Sequence, residues 1–187
     1  MITQRDDFER QKQRLLRGGV NKLQVVTDFD RTLTTNFNQG RKSLSLIGAL
    51  RESNFLASDY STKAQKLYDY YSPFENDPSL GLAARKSLMA EWWRKHFDLL
   101  INSGLKETDI NGVIEQRLST LREGVPEFIS LLAKHKIPLV IFSASGFGVS
   151  GLKYFLSRRG LLFDNIYFVA NDFVWGTTGE HWLLKSQ

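Results

Sequence analysis

The chain has 187 residues, 42% of them hydrophobic and 24% charged, proportions of a soluble globular protein with one core or a core plus a small accessory unit. No apolar run reaches the ~18 residues of a membrane span, residues 1–22 lack the apolar stretch of a secretory signal, and the absence of cysteine excludes disulfides and thiolate metal sites, which fits a cytoplasmic protein. A formal charge of +5 suits an anionic partner, but the basic residues are dispersed and no nucleic-acid-reading motif accompanies them, so nucleic acid is not the expected partner.

In chain order, residues 2–17 alternate charges and read as an exposed amphipathic helix, broken by Gly18-Gly19. Residues 23–29 (LQVVTDF) are apolar on both faces, the pattern of a parallel strand covered by helices. From 35 to 120 apolar residues recur every three or four positions, predicting helices over 44–50, 61–71, 79–101 and 109–121. Asn76-Asp77-Pro78-Ser79 supplies a break and an N-cap signal before the longest of these.

A β/α pattern then resumes. Residues 125–135 form a helix with Pro126 in its first turn, 137–143 (IPLVIFS) a buried strand, 149–159 a helix and 165–170 (NIYFVA) a third strand. Spacings of this length imply right-handed parallel crossovers. The predicted architecture is an α/β core, residues 1–34 and 121–187, with an all-helical cap, residues 35–120, inserted after the first strand.

Asp28-Phe29-Asp30-Arg31-Thr32 places two carboxylates where the chain leaves a buried strand, the end at which open α/β sheets bind ligands. Asp28 can attack phosphorus to give an acyl phosphate, and Asp30 can protonate the leaving alkoxide and then take a proton from water. Two carboxylates facing a phosphate dianion call for a cation such as Mg²⁺. The alternative is that both aspartates cap the strand and its turn. Ser143-Ala144-Ser145-Gly146 closes the second strand before a helix, where hydroxyls and free amides form a phosphate cradle. Ser143 is the candidate phosphate binder; its alternative is a turn serine bonded to local backbone.

The segment VVTDFDRTLT at 25–34 resembles the first motif of the haloacid dehalogenase superfamily, and PLVIFSAS at 138–145 resembles its second. Within that superfamily, MAEWW at 89–93, LREGVPEFISLLAKHKIPLVIFSAS at 121–145 and NIYFVANDF at 165–173 are similar to the cytosolic pyrimidine 5′-nucleotidases of the 5′-nucleotidase III type. The resemblance implies a HAD-like Rossmannoid parallel sheet with a helical cap. It implies a Mg²⁺-dependent phosphomonoesterase acting on nucleoside (pyrimidine) 5′-monophosphates. Asp28 would be nucleophile and metal ligand, and Asp30 acid/base and, through its carbonyl, a second ligand. Ser143 and Ala144 would contact phosphate, Glu91 the base, and Lys185 would stand near the position of a phosphate-neutralising lysine; an ordinary solvated helix carboxylate is the alternative for Glu91 and a solvated tail lysine for Lys185. Trp92 and Trp93 read as cap packing. The family's C-terminal acidic Gly-Asp motif is absent before Gln187, and Asp172 replaces it only if the backbone is rearranged. Two other functions follow from the same residues: a phosphatase for another small metabolite, and a truncated relative that binds a phosphate-bearing ligand or a protein partner without turnover.

Overall fold

The computed structural model describes residues 5–38, 40–116, 120–144, 146–175 and 181–185. Helix α1 (Arg5–Gly18) and the 3-10 turn Val20–Lys22 lead into strand β1 (Val25–Thr27). A hairpin of β2 (Phe37–Asn38) and β3 (Arg41–Lys42) follows, then four helices: α2 (Leu46–Glu52), α3 (Tyr60–Glu75), α4 (Leu82–Asn102) and α5 (Glu107–Glu115). The remainder is α6 (Val125–Lys134), β4 (Leu139–Ser143), α7 (Gly148–Ser157), β5 (Ile166–Ala170) and the hairpin of β6 (Asp172–Trp175) and β7 (His181–Lys185).

The parallel sheet has the order β1-β4-β5, with Thr27 opposite Ile141 and Ile141 opposite Phe168. Its buried face carries Leu139, Ile141, Ile166 and Ala170, which join Leu152, Phe155 and Leu156 of α7 in one hydrophobic cluster. The other face differs from the sequence expectation: Val26, Phe142 and Tyr167 are 61%, 58% and 57% exposed. Period-two alternation places these residues opposite the buried set, and no described residue closes over them.

The chain enters and leaves the helical segment side by side. Thr34 and Leu121 form an antiparallel bridge, the Thr35 amide donates to Thr120 O (2.8 Å) and the Arg122 amide to Leu33 O (2.9 Å). Four helix boundaries move relative to their sequence patterns. α2 starts at Leu46, two residues late, because Ser45 is its N-cap and accepts from the Gly48 amide (3.2 Å). α3 runs through Pro73 to Glu75 and does not stop at Tyr71, because Tyr71 is buried and stacks on Trp92 of α4 (centroids 6.0 Å apart). α4 starts at Leu82, since Asp77 accepts from the Ser79 amide (2.8 Å) and hydroxyl (2.6 Å) and so closes a turn ahead of the helix. α5 ends at Glu115, and Leu121 lies in the bridge to Thr34. The last hairpin is not among the elements that the apolar patterns predict; among the described residues it forms a separate two-stranded sheet.

Candidate active site

Phe29 sets the geometry of the first motif. Its ring is fully buried, edge-on to Phe155 with centroids 5.2 Å apart. Anchoring the middle residue inward leaves its neighbours outward: Asp28 is exposed and Asp30 half-buried. The Phe29 carbonyl then accepts from the Leu33 (3.1 Å) and Thr34 (3.2 Å) amides, which reverses the chain directly beyond β1. At the apex Arg31 has φ 62°, a left-handed conformation uncommon for a residue with a Cβ. It is tied down from two sides. Its amide donates to Thr34 Oγ1 (2.7 Å), and Arg122 donates from Nη2 to its carbonyl (2.6 Å) and from Nε to the Thr34 carbonyl (3.1 Å).

Each aspartate has a partner. Thr32 Oγ1 lies 3.4 Å from Asp28 Oδ2, and Asp30 Oδ1 accepts from the Leu46 amide at the start of α2 (3.2 Å). The second bond links the turn to the helical segment. Asp30 and Arg31 line a cavity of about 480 Å³. Ala144, from the end of the neighbouring strand β4, lines the same cavity, as do Ser45 and Arg51 of the α2 region, Tyr68 and Glu75 of α3, and Met89, Trp92, Trp93 and His96 of α4. The lining thus combines a carboxylate and strand-end backbone that suit a phosphate with aromatic side chains that suit a planar ring.

The remaining candidates fall in different places. Ser143 is buried at the end of β4, 4% exposed, with Ala144 beyond it exposed. Glu91 lies outside this cavity: it lines a separate groove with Lys63, Tyr70 and Tyr71, and forms an ion pair with Lys95 (2.6 Å). The hydrogen bond from Lys95 holds its carboxyl below the usual range. The helix turns about 100° per residue, so Glu91 looks away from the side on which Trp92 meets the cavity. Glu75, which the sequence reading left beyond the end of its helix, is the glutamate that faces the cavity. The paired aromatics of α4 were the available signal, because the face they define also selects the facing residues of α3. Trp92 and Trp93 do pack, stacked 6.1 Å apart with Trp93 on Phe97 at 5.3 Å, and they also line the cavity. The loop after β4 fits closely under this stack, since a Cβ on Gly146 would sit 2.7 Å from the Trp93 ring. The Lys185 backbone pairs with Asp172, and its side chain lies outside the described part of the structure.

The donor set for a divalent cation is short. Asp28 and Asp30 offer hard oxygens of the kind Mg²⁺ takes, but no group of three His, Asp or Glu side chains suited to a metal occurs among the described residues. Asp172 is engaged in the hydrogen bonding at the start of α7: its Oδ1 accepts from the Ser150 amide (3.1 Å), the Ser150 hydroxyl (3.0 Å) and the Phe173 amide (3.0 Å).

Comparison with known proteins agrees with this layout. Residues 31–186 match the family model described as "Pyrimidine 5'-nucleotidase (UMPH-1)". The chain is 33% identical over 158 residues to a Xenopus laevis protein named 7-methylguanosine phosphate-specific 5′-nucleotidase A, covering 84% of this chain and 54% of the relative. It is 32% identical over 157 residues to a Caenorhabditis elegans protein named putative cytosolic 5′-nucleotidase 3, covering 82% and 41%. The chain therefore spans about half the length of the curated relatives it matches. Cytosolic 5′-nucleotidase IIIB bound to cytidine superposes with a TM-score of 0.88 at 25% identity, covering 100% of this chain and 62% of that one. A phosphoserine phosphatase, at 18% identity and a TM-score of 0.52 over 88% of this chain and 63% of that one, shares the fold. The chain belongs to the pyrimidine 5′-nucleotidase (UMPH-1) family, with the fold of the haloacid dehalogenase superfamily.

Proposed function

We propose that this chain carries the phosphate-attacking turn and base-binding cap of a phosphomonoesterase for nucleoside 5′-monophosphates. The observation that carries the reading is the shared cavity: Asp30 and Ala144, at the ends of adjacent parallel strands, meet Trp92, Tyr68 and Glu75 around one space. In this reading residues 1–34 and 121–187 are the core, and residues 35–120 are the cap over it.

Asp28 attacks phosphorus, and an acyl phosphate forms as the bond to the nucleoside 5′ oxygen breaks. Asp30 gives its proton to that oxygen. It then takes a proton from the water that attacks the acyl phosphate, releasing phosphate and restoring Asp28. Ser143 and Ala144 hold the phosphate oxygens, and Lys185 is retained as the candidate for neutralising them. Trp92 and Tyr68 flank the base, and Glu75 takes the base-facing role first given to Glu91. Mg²⁺ would be held by the Asp28 carboxylate and the Asp30 carbonyl, and when bound it neutralises phosphate charge. The cytoplasm is the proposed location, supported by the name of the Caenorhabditis elegans relative and by the lack of cysteine.

The test is phosphate release from cytidine, uridine, guanosine and 7-methylguanosine 5′-monophosphates, with and without Mg²⁺, for the wild type and Asp28→Asn. Release by the wild type and none by a well-folded Asp28→Asn is expected. Turnover by that variant, with deamidation excluded, removes Asp28 from the mechanism. A second reading, binding without turnover, is favoured by the short set of metal-ligating side chains among the described residues. Nucleotide binding with no release under any metal condition would select it.

A further inference from the structure

Three polar groups at or next to the cavity lining have no role in phosphate chemistry: Arg51 and His96 in the lining and Tyr60 packed against His96. Arg51 lines the cavity, and its guanidinium lies over the face of Tyr68, 4.3 Å from the ring centroid. Its Nε is buried with no hydrogen-bond partner. His96 also lines the cavity, is 6% exposed, and has an equally unpartnered Nε2. Behind it the Tyr60 ring stands edge-on at 6.3 Å, with a fully buried and unpartnered hydroxyl. Buried polar atoms in native proteins are nearly always paired, so the two that belong to cavity-lining residues, on Arg51 and His96, point to polar partner atoms on what the cavity binds, and Arg51 calls for an acceptor.

We propose that Arg51, with His96 in the same cavity lining, sets the base preference of this site: it favours a neutral base bearing a ring carbonyl and disfavours the cationic 7-methylguanine. The inference rests on the nucleotide reading of the cavity. Its argument is electrostatic. A guanidinium is charged at all working pH values and is a fork of donors suited to carbonyl oxygen. The positive ring of 7-methylguanine would meet that charge in a partly desolvated space, where like charges repel more strongly than in water. Cationic rings gain from stacking on aromatic faces, but one face of Tyr68 already carries the Arg51 guanidinium, which lessens what a second cation gains from that ring. His96 adds no second charge: burial, reinforced by Arg51, holds its imidazole pKa down to about 4. The opposing charges on the cavity are Asp30, next in sequence to Arg31, and Glu75, which is exposed, so that solvent screens its charge while its carboxylate can still accept a hydrogen bond from the base.

The experiment is calorimetric binding to the 187-residue chain and to Arg51→Leu of three ligands. These are guanosine 5′-monophosphate, its 7-methyl derivative, and the 7-methyl-7-deaza analogue, which has the same size but no ring charge. Circular dichroism and thermal melting confirm that the variant folds, and His96→Gln, which keeps the cation at position 51, serves as a second variant. For the wild type, guanosine monophosphate and the neutral analogue should bind alike, and the cationic ligand about tenfold or more weakly. Arg51→Leu should remove most of that gap, while His96→Gln should weaken all three ligands and preserve it. Wild-type preference for the cationic ligand, rejection of the neutral analogue as well, or an unchanged gap in folded Arg51→Leu would overturn the inference and leave the nucleotide reading standing. Binding of none of the three by a folded wild type that does bind cytidine 5′-monophosphate would overturn the inference alone; binding of neither these three nor cytidine 5′-monophosphate would overturn both.

Discussion

Replacing Asp172 with alanine separates two roles, helix cap and metal ligand, for an acidic side chain that sits at the start of α7. In the structure Asp172 acts as an N-cap supplied from 22 residues away. Gly148, Val149 and Ser150 open α7, and the Asp172 carboxylate accepts the amide and hydroxyl of Ser150, the third helical residue. Gly148, at φ 80°, allows that approach, because a Cβ there would stand 3.0 Å from Asp172 Oδ1. Removing such a cap costs about 1–2 kcal/mol. For a domain of this size each kcal/mol lowers Tm by about 2–4 °C, so Asp172→Ala should melt about 2–8 °C below the wild type. Asp172→Asn keeps an acceptor oxygen and should lose roughly half as much, chiefly the interaction of the charge with the helix dipole. The assay is thermal unfolding followed by circular dichroism, paired with a Mg²⁺ titration of all three proteins. With Asp28 and the Asp30 carbonyl as the proposed donors among the described residues, Mg²⁺ binding should be weak in the wild type and equal in the variants. An unchanged Tm together with a large loss of Mg²⁺ affinity in Asp172→Ala would refute the capping role and make Asp172 a ligand.

Arg122→Lys keeps the charge but loses the fork that holds both the Arg31 and Thr34 carbonyls, so phosphate release should fall severalfold with little change in Tm; full activity would show that the turn is held without it. His96 binds its proton with a pKa of about 4 in the folded chain against 6.5 when free, so the unfolded state takes up that proton first. Stability should therefore be complete above about pH 6.5 and decline as pH falls towards 4, by about 3 kcal/mol at the limit. Urea unfolding across this range should show a shallower decline in His96→Gln, and parallel curves for the two proteins would refute the assignment. Glu75→Ala should weaken nucleotide binding about tenfold or more, whereas Glu91→Ala should leave it nearly unchanged; the reverse order, read by calorimetry, would return the base-facing role to Glu91.

What the chain states locally is legible without coordinates. The parallel strands, the turn that carries Asp28 and Asp30, and the helical segment after it all follow from period-two and period-3.6 apolar patterns and from short-range turn chemistry, which neighbouring residues set. Phe29 alone, apolar between two aspartates, is enough to predict that both carboxylates turn outward. Rotation about a helix axis is a different matter, because one residue changes direction by about 100° and several apolar stripes can serve as the buried one. Only the packing of α4 on α3, through Trp92 on Tyr71, turned Glu91 to the outer groove and Trp92 to the cavity. The same contact carried α3 past Pro73 and brought Glu75 to the cavity, against the local preference of proline to end a helix. Asp172 shows the same limit: its acceptor role depends on a helix that begins 24 residues before it in the chain. Unbroken apolar runs mark both faces of the β1-β4-β5 sheet as fit for burial, but covering a face takes a second element, and among the described residues only tertiary packing decided that α7 covers one.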